Sequence, residues 1–181
     1  MIVRQYNSAF TLIELAVVIL ILGFAMAVIF PRLNSGALER ARLASNITKI
    51  ASIATYARNR AASTRFTHML HLDIEQGEYW VTAQTPAGQE VPITRGLTLR
   101  GRLADGVQFR DVQISGKSTP LRKVATLRFS PEGWADPAVV HIDGPGGETG
   151  TIIIAELSGR VETYDSHVEV DRKGQIYGAQ E

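Results

Sequence analysis

The sequence lacks cysteine altogether and has almost no net charge. With 0 Cys among 181 residues, disulfides, thiol nucleophiles, cysteine-ligated zinc and lipid anchors on cysteine are all excluded. The formal net charge is +1, so no global excess of basic groups indicates nucleic acid as a partner. The hydrophobic share of 45% and the charged share of 20% are nevertheless those of a folded chain.

Polar residues are almost missing from Phe10 to Phe30, where Glu14 is the single charged side chain in 21 residues. A helix of this length spans about 30 Å, the thickness of a bilayer core. A soluble helix without a polar face would be unusual. The segment 10–30 is therefore predicted to be a transmembrane or filament-core helix, preceded by a polar leader, 1–9.

A one-sided apolar stripe follows and predicts an amphipathic helical section over 31–65. Its members recur every three or four residues, which places them on one helix face that could pack against a sheet. Proline removes a helix hydrogen bond, so we expect a distortion near Pro31. The stripe comprises Leu43, Ile47, Ile50, Ala54, Ala57 and Ala61.

From residue 66 onward the apolar period changes to two, which predicts a β-rich head over 66–181. A hairpin is expected around Gly77, and because no helix pattern intervenes, the strands should be mostly antiparallel. The predicted fold class is α+β, a long N-terminal helix packed on an antiparallel β-sandwich-like head. Further strands are predicted at 97–103, 107–114, 124–129, 138–142, 151–156, 160–164 and 168–170.

Charge is distributed unevenly along the chain. Residues 32–65 contain seven basic side chains and one acidic side chain, whereas 66–181 contain 11 basic and 16 acidic ones. Two interpretations stay open at this point. Either these faces are simply solvated, or the basic section and the acidic section meet within or between subunits.

No catalytic constellation stands out. His68 and His71 are three residues apart, but a zinc site would need a third ligand that the pattern does not supply. The run 165–167 contains the residue types of a hydrolase triad, although adjacency in the chain does not provide triad geometry. We therefore expect no enzyme activity, no metal site and no cofactor.

The glycine-rich segment 143–150 lacks the Lys and Ser/Thr pair of a phosphate loop and is read as a hairpin tip. Asp143 and Glu148 could bind a calcium ion there through their carboxylates. Arg172 and Lys173 could touch DNA phosphates but are too few for strong binding.

The run from Ser8 to Leu15, SAFTLIEL, resembles the class III signal of type IV pilins and type II secretion pseudopilins. An acid in a membrane span costs about 2.5–3.5 kcal/mol at mid-depth, which makes the motif specific. The resemblance implies cleavage by a prepilin peptidase between Ala9 and Phe10, followed by N-methylation of Phe10. It also implies that Glu14 pairs with the amino terminus of a neighbouring subunit. The family usually has Gly at the place of Ala9.

The resemblance also covers later parts of the chain. Gly23 and Pro31 match positions where pilins often distort their helix. The segments 57–62, 127–133 and 152–161, with the hairpin around Gly77, are similar to the H-type minor pseudopilins, the GspH/FimT-like family.

This family implies a minor pseudopilin of a type II secretion system, which helps export folded proteins across the outer membrane. Implied partners are other major and minor pseudopilins in a filament, the prepilin peptidase and the inner-membrane assembly platform, with nucleic acid unexpected. The implied location is the bacterial inner membrane, single-pass, with the C-terminal head in the periplasm.

Two other interpretations compete. One is a FimT-like minor pilin of a type IV pilus, acting in pilus assembly or DNA uptake. The other is a secreted β-domain enzyme or binding protein, released by cleavage after the A-x-A pattern at 25–27. Glu14 inside the apolar stretch and the amphipathic helix beyond it argue against an ordinary secretory signal.

The cleavage site can be tested directly. We expect a mature chain that begins with N-methylated Phe10, because the FTLIEL register precedes a helix of membrane length. Intact-mass spectrometry of the membrane-extracted protein measures this. A mature chain beginning at Val28 would instead identify an ordinary secretory signal.

Overall fold

The computed structural model describes residues 11–93, 99–120, 123–170 and 176–177. The leader, Ala9 and Phe10 lie outside the described residues, as do Arg172 and Lys173. The chain divides into two compact units, Met1–Leu38 and Glu39–Glu181, and each is described by itself below.

One helix, α1, runs from Leu12 to Thr64 and has 53 residues. The helix continues through Gly23 and Pro31 without a break. A milder distortion at these positions stays a prediction. The part from Glu39 to Thr64 belongs to the second unit, together with all the strands.

Two five-stranded sheets make up most of the second unit, and all strand pairs within them are antiparallel. Sheet A has the order β3-β2-β1-β7, with β4 also paired to β2, and sheet B has the order β10-β9-β8-β5-β6. A small third sheet pairs β11 with β12. The strands are β1 His68–Asp73, β2 Glu78–Gln84, β3 Glu90–Pro92, β4 Arg100–Arg102, β5 Gln108–Ile114, β6 Lys117–Ser118, β7 Val124–Phe129, β8 Ala138–Asp143, β9 Thr149–Ile154, β10 Val161–Tyr164, β11 Glu169–Val170 and β12 Ile176–Tyr177.

The predicted stripe of α1 is buried against the sheets, so this prediction is confirmed. All six of its members lie in the core, and its three alanines have no exposed surface. Gly150 on β9 leaves room for the tip of Ile47, since a Cβ at this glycine would collide with Ile47 Cδ1. Asn46 adds a polar contact between α1 and the head, because its Oδ1 accepts a hydrogen bond from the Ala104 amide at 3.1 Å.

The predicted fold class is confirmed, as an N-terminal helix packed on antiparallel sheets. The hairpin around Gly77 is present as β1 and β2, and β7 has the predicted bounds. The short strands β3, β6 and β12 were not predicted. In β3, Glu90 and Pro92 are poor strand formers. Their extended conformation is stabilised by pairing with β2 rather than by their own strand propensity.

Two adjacent alanines test the packing of α1. Ala61 is fully buried whereas Ala62 is exposed, so the same change meets a packed core at one site and solvent at the other. We expect Ala61→Leu to lower the free energy of unfolding by about 1–3 kcal/mol through overpacking. Ala62→Leu should change it by about 0.5 kcal/mol or less. Urea unfolding followed by tryptophan fluorescence measures both, and equal effects would contradict the packing described here.

Candidate functional site

The beginning of α1 is defined by a capping residue that the sequence analysis missed. The Thr11 hydroxyl accepts a hydrogen bond from the Glu14 amide at 3.3 Å, and the Thr11 carbonyl accepts from the Leu15 amide at 3.2 Å. Thr11 therefore acts as the N-cap of α1. The spacing Thr-x-x-Glu is the sequence signature of a capping box, and it could have located this helix start.

Glu14 lies in the first turn of α1 and is exposed. A carboxylate there is stabilised by the positive end of the helix dipole. Among the described residues, no basic side chain lies within 4.0 Å of Glu14. Its carboxylate is therefore available to a group from another molecule or to the amino terminus.

The segment from Leu12 to Met26 exposes apolar side chains on every side of the helix. Leu12 is 88% exposed and Phe24 is 73% exposed, and the same holds for most large side chains between them. A helix that is apolar all round needs a lipid or protein environment to cover it. Its other exposed members are Ile13, Leu15, Val17, Val18, Ile19, Leu20, Ile21, Leu22 and Met26.

No helix within the described residues meets the length and hydropathy expected of a membrane span.

The histidines of sheet A do not converge on a common site. His68 Nδ1 lies 2.9 Å from the Phe66 carbonyl oxygen, and His71 stacks on Trp80 with ring centroids 5.1 Å apart. Burial lowers the pKa of His68, because desolvation disfavours the charged ring. Burial likewise lowers the pKa of His71, although Glu90 at 3.6 Å opposes the effect. Both rings are therefore packing groups of the sheet.

The run 165–167 does not form a triad. The Ser166 carbonyl accepts a hydrogen bond from Thr151, while the His167 ring stacks on His141 and its Nε2 lies 3.6 Å from Glu169 Oε1.

The two acidic groups of the loop 143–150 differ in their partners. Asp143 contacts Arg110 at 2.9 Å and accepts a hydrogen bond from Thr149 at 2.8 Å. Glu148 Oε1 lies 4.0 Å from Arg40, and Glu148 Oε2 is buried without a hydrogen-bond partner among the described residues. Within the described ranges, no group of three or more metal-ligating side chains is placed to hold an ion.

Ion pairing between the two sections of opposite charge is sparse within the described residues. Arg40 with Glu148, in the loop before β9, is the ion pair seen there between α1 and the head. Arg60 and Arg65 are exposed, so the hypothesis that the acidic head pairs with the basic helix inside one subunit is not supported at these positions.

Comparisons with known proteins give matches for the N-terminal segment and for the fold. The family profile of the prokaryotic N-terminal methylation motif matches residues 4–30, a range that includes Ala9, Phe10 and Glu14. No curated protein sequence matches the chain significantly. The chain therefore carries the N-terminal motif that its resemblance to pilins implied.

Two solved structures are similar to this one, and both are of the minor pseudopilin EpsH from the type II secretion system of Vibrio cholerae. One is 13% identical, with 68% of this chain and 97% of EpsH covered at a TM-score of 0.57. The other is 11% identical, with 71% and 99% covered at a TM-score of 0.60. At these identities the likeness shows the fold, so the pilin-like resemblance is confirmed for the motif and for the fold.

The pairing with a neighbouring subunit that the resemblance implies for Glu14 leads to a prediction about assembly. Glu14→Val should leave membrane association intact, because removing an acid makes burial in lipid easier. Crosslinking to other pilin-like subunits should fall about tenfold or more, as expected when a charge-assisted hydrogen bond worth about 1.5–3 kcal/mol is lost. Glu14→Asp is the matched control, because it keeps the charge and should retain more crosslinking. Undiminished crosslinking of Glu14→Val would show that Glu14 is not needed for assembly.

Proposed function

We propose that this chain is a minor pseudopilin of a type II secretion pseudopilus, which helps export folded proteins across the outer membrane. The observation that carries the proposal is the combination of two features in one chain. An N-terminal methylation motif at residues 4–30 precedes a helix-and-sheet head with the fold of EpsH. The likeness to EpsH, a minor pseudopilin, supports a structural role rather than an enzymatic one.

The proposal assigns a role to each section of the chain. Residues 1–9 are a leader removed by the prepilin peptidase, and 10–30 form the membrane anchor that becomes the filament core. Residues 31–65 are the periplasmic part of the helix, and 66–181 are the periplasmic head. The exposed apolar surface between Leu12 and Met26 supports this assignment, since it requires a non-aqueous environment.

The proposal also assigns roles to individual residues. Cleavage occurs between Ala9 and Phe10, Phe10 is N-methylated, and Glu14 pairs with the amine of a neighbouring subunit. Gly23 and Pro31 let the helix bend during assembly. The exposed carboxylate of Glu14 in the first turn of α1 supports this role, because Glu14 follows Phe10 closely in the sequence.

A FimT-like minor pilin acting in DNA uptake is the alternative. The exposed basic side chains of the helix, such as Arg42, Lys49 and Arg60, favour it in part, because DNA affinity depends on basic groups meeting phosphates. These three residues are spread over about 27 Å of helix at 1.5 Å per residue, so they do not form a compact patch. The similarity to secretion pseudopilins supports the secretion role instead.

Deleting the gene in its host tests the proposal. We expect folded exoproteins to accumulate in the periplasm, to reappear in the medium on complementation with the wild-type chain, and to stay periplasmic with Glu14→Val. DNA uptake should be unchanged. Enzyme assays on medium and periplasm measure export, and a transformation assay is the control.

DNA binding distinguishes the alternative. The full chain in detergent should not shift DNA in a gel at about 150 mM salt, near physiological ionic strength. Normal export together with lost transformation, or tight DNA binding that Arg42→Ala and Lys49→Ala abolish, would replace the secretion role by the pilus one.

A further inference from the structure

The exposed side of α1 carries three basic side chains in one row. Arg42, Lys49 and Arg60 are exposed, and at about 100° per residue they lie within about 20° of one another around the helix axis. Among the described residues, none of the three has an acidic oxygen within 4.0 Å. We call these three residues the basic row.

The helix surface beside the basic row consists of small side chains. Thr48, Ser52 and Thr55 are exposed, and their hydroxyls donate to carbonyls one turn earlier in α1, at 2.8, 2.7 and 2.8 Å. Hydroxyls that already donate within the helix lose no hydrogen bond from this proton when another protein surface covers them. A neighbouring molecule can therefore approach this side of α1 closely and reach the basic row.

The head carries an excess of the opposite charge. Residues 66–181 contain 16 acidic and 11 basic side chains. Among the described residues of the head, the exposed acidic side chains outside any ion pair outnumber the exposed basic ones. The acidic ones are Glu75, Asp105, Glu132, Glu156 and Asp165, and the basic ones are Arg102, Lys117 and Lys123.

The basic row does not pair with the described acidic groups of its own head. The buried stripe fixes the rotation of α1, and the ion pair that joins the helix to the head uses Arg40 instead, 4.0 Å from Glu148. Arg40 lies about 160° around the helix from Arg42, at about 100° per residue. The charge of the basic row is therefore available to another molecule.

We propose that the basic row of one copy of this chain binds the acidic head of a second copy. Two basic rows placed face to face would repel each other, so the contact joins two different surfaces, the helix of one copy and the head of the next. A contact between two different surfaces leaves one of each free at every step and continues into an open chain. The inference rests on the proposed filament role, for which such an open contact is required.

Zero-length crosslinking tests the contact, because Lys49 is the only lysine of α1. A carbodiimide joins a lysine amine to a carboxylate that touches it, without a spacer. The full chain is prepared in detergent micelles as two populations, one labelled with 15N, which are then mixed. At about 50 mM salt, peptides should be found that join Lys49 of one population to an acidic residue in the head of the other. Their yield should fall about fivefold or more at about 500 mM salt, because salt screens exposed charges.

Lys117 provides the internal control for this measurement, because it is exposed on β6, outside the basic row. Random encounters of two copies in one micelle would crosslink Lys117 between copies as often as Lys49. Equal yields at the two lysines, or crosslinks of Lys49 within a single copy only, would overturn the proposal. Loss of the Lys49 crosslinks on adding duplex DNA would overturn it too, because nucleic acid would then be the occupant of the basic row.

Three variants separate the charge of Lys49 from its reactivity. Lys49→Arg keeps the positive charge without a reactive amine, so its crosslinks should disappear while association of the copies, measured by analytical ultracentrifugation, persists. Lys49→Glu should weaken association about fivefold or more. Lys117→Glu is the matched control, because it makes the same change of charge outside the basic row and should leave association unchanged. Equal effects of the two changes to Glu would contradict the proposal.

Failure of this contact can be told apart from failure of the secretion role. If Lys49→Glu associates like the wild type while deletion of the gene still blocks export, the basic row has no part in assembly and the secretion role stands. If copies associate through Lys49 while deletion leaves export unchanged, the contact stands and the secretion role is wrong. Crosslinks in host membranes that join Lys49 to a different pilin-like subunit, with none between copies, would overturn the second copy as the occupant.

Discussion

The head is organised around a single burial requirement, the apolar face of α1 between Leu43 and Ala61. Burying each Leu or Ile of this face contributes about 1.5–3 kcal/mol, and both sheets take part in covering it. The stripe changes from large side chains to alanine toward Ala61, and its alanines are fully buried. Gly150 provides the corresponding space on β9 for Ile47. Sheet order and helix position follow from this shared core.

The earlier part of the same helix obeys the opposite constraint. From Leu12 to Met26 it has apolar side chains all round and exposes them, which is unfavourable in water. Glu14 is the exception, and its position in the first turn, after the Thr11 cap, places a carboxylate where the helix dipole favours it. The acid is thus tolerated at the start of α1, where a group from outside the helix can reach it.

The spacing of apolar residues in the sequence correctly predicted the features that depend on a single helix or strand. All six stripe residues are buried, and the alternating strands lie close to their predicted bounds. Contacts that join distant elements were missed. Asp111 on β5 contacts His141 on β8 next to a register shift between Phe109 and Asp111, and neither residue carries a local sequence signal for such a bulge. Thr11 was missed although its capping pattern was readable.

Charge illustrates why composition alone did not predict contacts. The basic excess of residues 32–65 and the acidic excess of the head left open whether the two sections meet or are solvated. Among the described residues, the ion pair that joins the helix to the head is that of Arg40 with Glu148, in the loop before β9, 4.0 Å apart. Lys49 and Arg60 point away from the sheets because the buried stripe fixes the rotation of α1. Burial thus decides which way the charges face. The basic face and the apolar segment are both exposed, which is consistent with the proposed role as a filament subunit.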